Sequence, residues 1–230
     1  EVEVSSPISG MIYDTNQVVV AGSVTDDAPS SGIKGVWVNG ATASITGTNW
    51  TVTLTGLSEG SVTIDAIVYD DAGNEGVVAV NITIDTLPPA VSITSPTDGW
   101  TFNQATILVK GSATDDTTEI ARVEVNTQTA SGTEDWMITI SSLTEGVNLL
   151  EATAWDEAGN WSSTSISVYV DSTAPGVPVI TSPAAGDTNI NSFAVAGSAE
   201  VGATVEVFAD AVSLGTVLAT GGTFSLTTPA

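Results

Sequence analysis

A short block closes one run of alternating apolar residues and opens the next, and the chain uses it twice. Ile84-Asp85-Thr86-Leu87-Pro88-Pro89 leads into Val91-Ser92-Ile93-Thr94-Ser95-Pro96, and Val170-Asp171-Ser172-Thr173-Ala174-Pro175 leads into Val179-Ile180-Thr181-Ser182-Pro183. Val2-Glu3-Val4-Ser5-Ser6-Pro7 reads as the second half of the same block. A joint repeated at this spacing marks an array of like domains. The expected boundaries are residues 1–87 and 88–174 for two complete repeats and 175–230 for a third that is incomplete.

Between the joints the repeats agree residue by residue. Val109-Lys110-Gly111-Ser112 answers Val20-Ala21-Gly22-Ser23, Asp115-Asp116 answers Asp26-Asp27, Trp136 answers Trp50, and Asp156-Glu157-Ala158-Gly159-Asn160 answers Asp70-Asp71-Ala72-Gly73-Asn74. The apolar positions alternate with period two, as in Val18, Val20, Gly22 and Val24, or Ile64, Ala66 and Val68. That period belongs to half-buried strands, and no segment sustains a helical one. Asn39-Gly40 is a hairpin signal. About seven strands per repeat are expected, at the turn spacing of a two-sheet sandwich. Trp50 and Trp136 share parity with the core Val and Ile and are expected inside it. In the third repeat Phe193, Val195 and Gly197 answer Val18, Val20 and Gly22. The Asp-x-Ala-Gly-Asn loop and its two flanking strands have no counterpart there. Such a sandwich lacks its last two strands, so either the native chain continues past Ala230 or another molecule fills the gap. The run-in at Thr227-Thr228-Pro229-Ala230 favours continuation.

Charge narrows the function classes. Three Lys and Arg stand against 27 Asp and Glu, a formal net charge of −24 at pH 7. Nucleic-acid binding needs clustered cations and is excluded. An anionic membrane surface is excluded on the same ground, and no apolar run reaches the length of a membrane helix. The chain has no His and no Cys. The usual general base, the thiol nucleophile and most zinc sites are therefore missing, and no catalytic activity is expected. The opening on Glu1, without a Met, reads as a mature or excised segment.

The run S-P-x-x-G, V-x-G, V-x-V-N, Trp, L-x-E-G, D-x-A-G-N, D-x-x-x-P resembles bacterial immunoglobulin-like repeat domains of the Big type. These occur in large surface adhesins, in surface-layer-like proteins and as accessory modules of secreted glycoside hydrolases. Repeats one and two match throughout. Repeat three resembles a related subtype through Ala196-Gly197-Ser198-Ala199-Glu200-Val201-Gly202-Ala203-Thr204-Val205. The resemblance implies an all-β fold of tandem immunoglobulin-like sandwiches forming an elongated rod. It also implies an extracellular or cell-surface location on a bacterium or archaeon. The role expected is that of a stalk in an adhesin, surface layer or filament, with neighbouring immunoglobulin-like domains, or like subunits in a lattice, as its partners. The alternative is an accessory, carbohydrate-binding region of a secreted glycoside hydrolase.

Three features carry candidate chemistry. In an immunoglobulin-type sandwich the loop after the second strand, the loop before the last strand and the incoming chain share one end. Asp85, Asp115, Asp116, Asp156 and Asn160 should therefore meet at the first joint, where massed oxygens suit Ca²⁺. Asp26, Asp27, Asp70 and Asn74, with Glu3 beside them, form the equivalent set in repeat one, and Asp171 begins one at the second joint. The other reading is that these Asp and Asn residues shape turns. Trp37 and Tyr69 fall on an outer sheet face with Trp155 and Tyr169, where an aromatic row stacks on sugar rings or simply pairs across strands. Among the sequons at Asn49, Asn81 and Asn160, Asn81 points outward by parity and is the candidate for glycosylation.

Overall fold

The computed structural model describes residues 1–27, 31–184 and 192–228. Among them there is no helix, so none is long and apolar enough to cross a membrane. The chain divides into two compact units, Glu1–Asp171 and Ser172–Ala230.

The first unit holds two β-sandwiches. In the first, β1 (Val2–Ser6), β3 (Val18–Val24), β7 (Asn49–Leu54) and β6 (Ser44–Thr46) form one sheet in the order β1-β3-β7-β6. The facing sheet has the order β2-β9-β8-β4-β5, from β2 (Ile12–Tyr13), β4 (Ile33–Val38), β5 (Ala41–Thr42), β8 (Gly60–Asp70) and β9 (Glu75–Ile84). The second sandwich repeats the plan. β10 (Ala90–Ser95), β12 (Ile107–Thr114) and β15 (Asp135–Ile140) face β11 (Thr101–Phe102), β13 (Ile120–Val125), β14 (Gln128–Thr129), β16 (Gly146–Asp156) and β17 (Trp161–Val170), ordered β11-β17-β16-β13-β14. The expectation of about seven strands misses the short ones. β2, β5, β6, β11 and β14 are two or three residues long, too short for alternation to show.

Inward positions of both sheets make each core. Val20, Val36, Val38, Ile64 and Ala66 are fully buried in the first sandwich, and Val109, Val123, Val125, Leu150 and Ala152 in the second. Trp50 and Trp136 lie inside, at 2% and 1% exposure, as parity predicts. Each sits across from a glycine: Gly22 pairs with Trp50 and Gly111 with Trp136. A Cβ on Gly22 would lie 1.8 Å from the Glu3 carbonyl oxygen and 2.4 Å from the Trp50 ring. The V-x-G pattern therefore marks the place where the opening strand's backbone and the core indole both press on the second strand.

In the second unit, β18 (Val179–Ser182), β19 (Ala194–Ser198) and β22 (Thr223–Thr227) form one sheet, and β20 (Thr204–Ala209) pairs with β21 (Val212–Leu218). Val195, Val205, Val207, Ala219 and Phe224 make its small core. Phe224 pairs with Gly197 and takes the place of the tryptophans. The tail pattern read at Thr227–Ala230 lies in part outside the described residues, as does part of the loop after Asp27.

Candidate metal centre at the joint between the first two sandwiches

Asp85 follows β9 and enters the linker. Its amide donates to the Tyr13 carbonyl at 2.9 Å, which fixes it to the first sandwich. The next residue is held there too, because Thr86 donates its amide and its hydroxyl to the Glu59 carboxylate. From the other side the second sandwich grips the linker. Thr118 donates its hydroxyl to Asp85 Oδ2 at 2.5 Å, Asn160 Nδ2 donates to the Asp85 carbonyl at 2.9 Å, and Ser162 donates its hydroxyl to the Pro89 carbonyl.

Two loops of the second sandwich bring further carboxylates to the same place. Asp115 follows β12, and its Oδ1 accepts the amides of Thr117 and Thr118 at 2.8 and 2.9 Å. That local turn aims the side chain at the joint and leaves Asp116 exposed beside it. Asp156 ends β16 and organises the β16–β17 turn. Its Oδ1 accepts from the Gly159 and Asn160 amides, and its Oδ2 from Asn160 Nδ2. The turn-shaping role of Asp-x-Ala-Gly-Asn is thus real. In this repeat the same Asn also reaches the linker.

Asp85, Asp115 and Asp156 each offer a carboxylate oxygen, and these lie within 4.8 Å of one another. Asp85 is fully buried and Asp156 is 2% exposed. Burial pushes the Asp85 carboxyl above the ordinary carboxylate value. The Thr118 hydroxyl and the Leu87 amide oppose that rise, and the charges of Asp115 and Asp156 reinforce it. Charges of one sign in a poorly solvated place raise one another's cost unless a proton or a cation joins them. The donor set consists of hard oxygens. Two oxygens on one Ca²⁺, at ~2.3–2.6 Å each, stand at most about 5 Å apart, so the observed spread fits one such ion. An open crevice of about 530 Å³ beside the trio, lined in part by Asp115, Asp116, Thr118 and Glu157, gives access from solvent.

Among the described residues, the first sandwich does not form an equivalent trio. Its loops are built alike: Asp26 Oδ2 accepts the Ser31 and Gly32 amides, and Asp70 accepts both the amide and Nδ2 of Asn74. The Asn74 side-chain hydrogen bond leads the causes that hold the Asp70 carboxyl below its ordinary value. Asp26, Asp27, Asp70 and Asn74 line one hollow with Glu1, while Glu3 pairs with the Ser23 hydroxyl outside it. Asp171 repeats the anchoring of Asp85, with its amide on the Phe102 carbonyl at 2.8 Å. Sequence reasoning missed Thr118, Glu59 and Ser162. A hydroxyl three residues after Asp115 was a usable signal for Thr118. Glu59 and Ser162 each reach one linker residue, across 27 and 73 residues, which no local pattern announces.

The outer aromatics are paired rather than laid flat. Trp37 and Tyr69 meet edge to face, with centroids 5.7 Å apart and planes at 64°. Trp37 also covers Gly35, where a Cβ would lie 2.7 Å from its ring. In the second sandwich Arg122 lies 3.9 Å over Trp155 and bonds Glu124 at 3.2 Å. Asn81 is exposed on β9, and its Oδ1 accepts the Thr63 hydroxyl at 2.8 Å.

Residues 89–172, the second sandwich, match the family model described as glucodextranase, domain B. Solved structures similar to the chain include fibronectin(III)-like modules of Clostridium thermocellum CbhA, at 18% identity over 74% of this chain and 94% of that one, with a TM-score of 0.45. A 1.5-MDa bacterial ice-binding adhesin is similar at 22% identity over 99% and 85%, with a TM-score of 0.45. A tetra-tandem repeat from the extending region of a large adhesion protein is similar at 23% over 94% and 63%, with a TM-score of 0.33. No curated protein matches. The chain is an all-β protein of tandem immunoglobulin-like sandwiches, as its sheets show.

Proposed function

We propose that this chain is a non-catalytic spacer of an extracellular or cell-surface protein, stiffened where Ca²⁺ is held by Asp85, Asp115 and Asp156. One observation carries the reading: three carboxylates, from the linker and from two loops of the next sandwich, converge within 4.8 Å, two of them buried. A cation there is bound by the linker and the second sandwich together. It opposes their separation, which is the mechanical task of a stalk. Asn160 and Thr118 hold the linker in register for it. Neither His nor Cys is present to run chemistry, and two of the three carboxylates, Asp85 and Asp156, are buried at the joint.

Extracellular calcium modules bind at roughly 10⁻⁴–10⁻³ M. Free Ca²⁺ at ten times the dissociation constant adds about 1.4 kcal/mol, or about 3–6 °C for a unit of this size. Melting curves in calcium and in chelator are expected to separate by that amount, and to coincide for Asp115→Asn. Coincident curves for the unmodified chain would contradict the proposal.

A second reading is favoured by the match of residues 89–172 to a glucodextranase domain. It makes the chain an accessory, sugar-contacting region of a secreted glycoside hydrolase, with Trp37 and Tyr69 as the contact. A glycan array separates the two readings. Millimolar or tighter binding that is lost in Trp37→Ala supports the accessory role.

A further inference from the structure

Trp100 lies between β10 and β11 and is 55% exposed, yet its place is fixed. Its amide donates to the Thr97 carbonyl at 3.2 Å, and its carbonyl accepts the Tyr169 amide at 2.8 Å. Next to it the Gly99 amide donates to the Ser167 carbonyl at 2.8 Å, and Asp98 Oδ1 accepts the Ser167 amide at 2.8 Å. The first sandwich builds the same turn around Met11. Its amide donates to the Ile8 carbonyl at 3.2 Å, and its carbonyl accepts the Thr83 amide at 2.9 Å. There the side chain folds back, because the Met11 sulfur accepts the Ile8 amide at 3.4 Å and the Tyr13 hydroxyl at 3.5 Å. In the second sandwich Phe102 stands where Tyr13 does and has no hydroxyl to give. An indole has no such acceptor either, so Trp100 is left standing on a braced turn.

Trp100 lines an open hollow of about 270 Å³ with Leu108, Pro96 and Phe102. Pro96 is buried, Phe102 is half-buried, and Leu108 is exposed. The hydroxyl-bearing Ser95 and Thr97 are exposed at the same hollow. No charged side chain lines it, in a chain with 27 Asp and Glu. Those properties select the occupant. A neutral lining offers nothing to pair an ionic ligand. The hollow is at the small end of ligand sites, and far below the ~1,200 Å² that a stable protein interface buries. A second copy of the chain would also bring −24 against −24. A ligand with one apolar face and a hydroxyl edge matches an indole flanked by Ser and Thr. A pyranose ring in the glucose configuration is such a ligand, with C–H bonds on its faces and hydroxyls around its rim.

We propose that the Trp100 hollow binds one glucose-configured ring of a neutral oligosaccharide, with a C–H face on the indole and rim hydroxyls toward Ser95 and Thr97. The braced turn holds Trp100 before the sugar arrives, so little ordering cost falls on binding. The site is on the second sandwich, apart from the Trp37–Tyr69 pair of the first. That pair is closed edge to face, whereas Trp100 has an open hollow beside it. The proposal depends on neither reading of the chain's role, since a stalk and an accessory region can each carry a sugar contact.

Nitrogen-15 NMR of the tryptophan indoles tests this on the full chain. The probes are cellohexaose and isomaltohexaose, two glucose chains of different linkage, with D-mannitol as an open-chain polyol. The Trp100 indole N–H is expected to shift saturably in at least one sugar, with a midpoint of about 1–10 mM, and to stay still in mannitol. Trp100→Met installs the residue of the first sandwich. It should melt as the unmodified chain does and bind at least about 10-fold more weakly. Trp37→Ala should bind as the unmodified chain does. A Trp100 signal that stays still in both sugars up to about 20 mM would overturn the proposal. An equal shift in mannitol would do so too, because no ring would be recognised. Binding that is kept in Trp100→Met and lost in Trp37→Ala would overturn it and assign the sugar to the first sandwich. A dimer in sedimentation that Trp100→Met dissolves would overturn it in favour of a second copy.

Discussion

Gly22 and Gly111 show how a single missing methyl sets the architecture. At Gly111 a Cβ would lie 2.1 Å from the Ser92 carbonyl oxygen and 2.0 Å from the Trp136 ring, and backbone cannot yield by that much. Gly111→Ala is expected to cost several kcal/mol, roughly the upper range for core overpacking, read by denaturant unfolding of the first unit. The tryptophans themselves differ. Trp50 Nε1 donates to the Ser23 carbonyl at 3.0 Å, whereas Trp136 Nε1 is buried without a partner among the described residues. Trp50→Phe should therefore destabilise by about 1 kcal/mol more than Trp136→Phe. Asp85 makes one contribution to the pH dependence. Its carboxyl is raised by burial, so between the ordinary value and the raised one the folded chain holds a proton that the unfolded chain has released. Stability conferred by this group is present below that window and is lost as pH rises through it. In chelator, Asp85→Asn should flatten this fall, as measured by unfolding midpoints across acidic pH.

At the scale of the element, the long strands were legible because alternation over five or more residues cannot be produced by a helix. The short ones were not. β2 and β11 are two residues long and pair parallel to β9 and β17, a placement that only the finished sheet determines. The candidate metal centre was legible in its loops, because a repeated fold fixes which loops share an end. It was not legible in its restraints, which pass through single side chains such as Thr118. The hairpins also carry strain that the sequence alone does not rank. Thr127 holds φ 68° where the first sandwich has Gly40 at φ 82°. A β-branched residue there costs about 1–2 kcal/mol. Thr127→Gly is expected to stabilise the second sandwich by about 1 kcal/mol, less the chain entropy that glycine adds, and a lowered melting temperature would show that this turn is unstrained.

At the scale of the molecule, the linker between the first two sandwiches is shared rather than free. Residues 85–89 are bonded to the first sandwich through Tyr13 and Glu59 and to the second through Thr118, Asn160 and Ser162. Through that sharing a cation on Asp85 would constrain the two domains together, whereas an ion bound within one sandwich would stiffen nothing beyond it. The acidity of the whole chain adds a general attraction for cations that salt screens, so specific binding must be separated from it. Titration calorimetry of Ca²⁺ into chelator-treated chain, in about 0.15 M salt and beside Asp85→Asn, does this. The predicted result is that the unmodified chain binds one more Ca²⁺ than the variant, at roughly 10⁻⁴–10⁻³ M. Superimposable isotherms would contradict it.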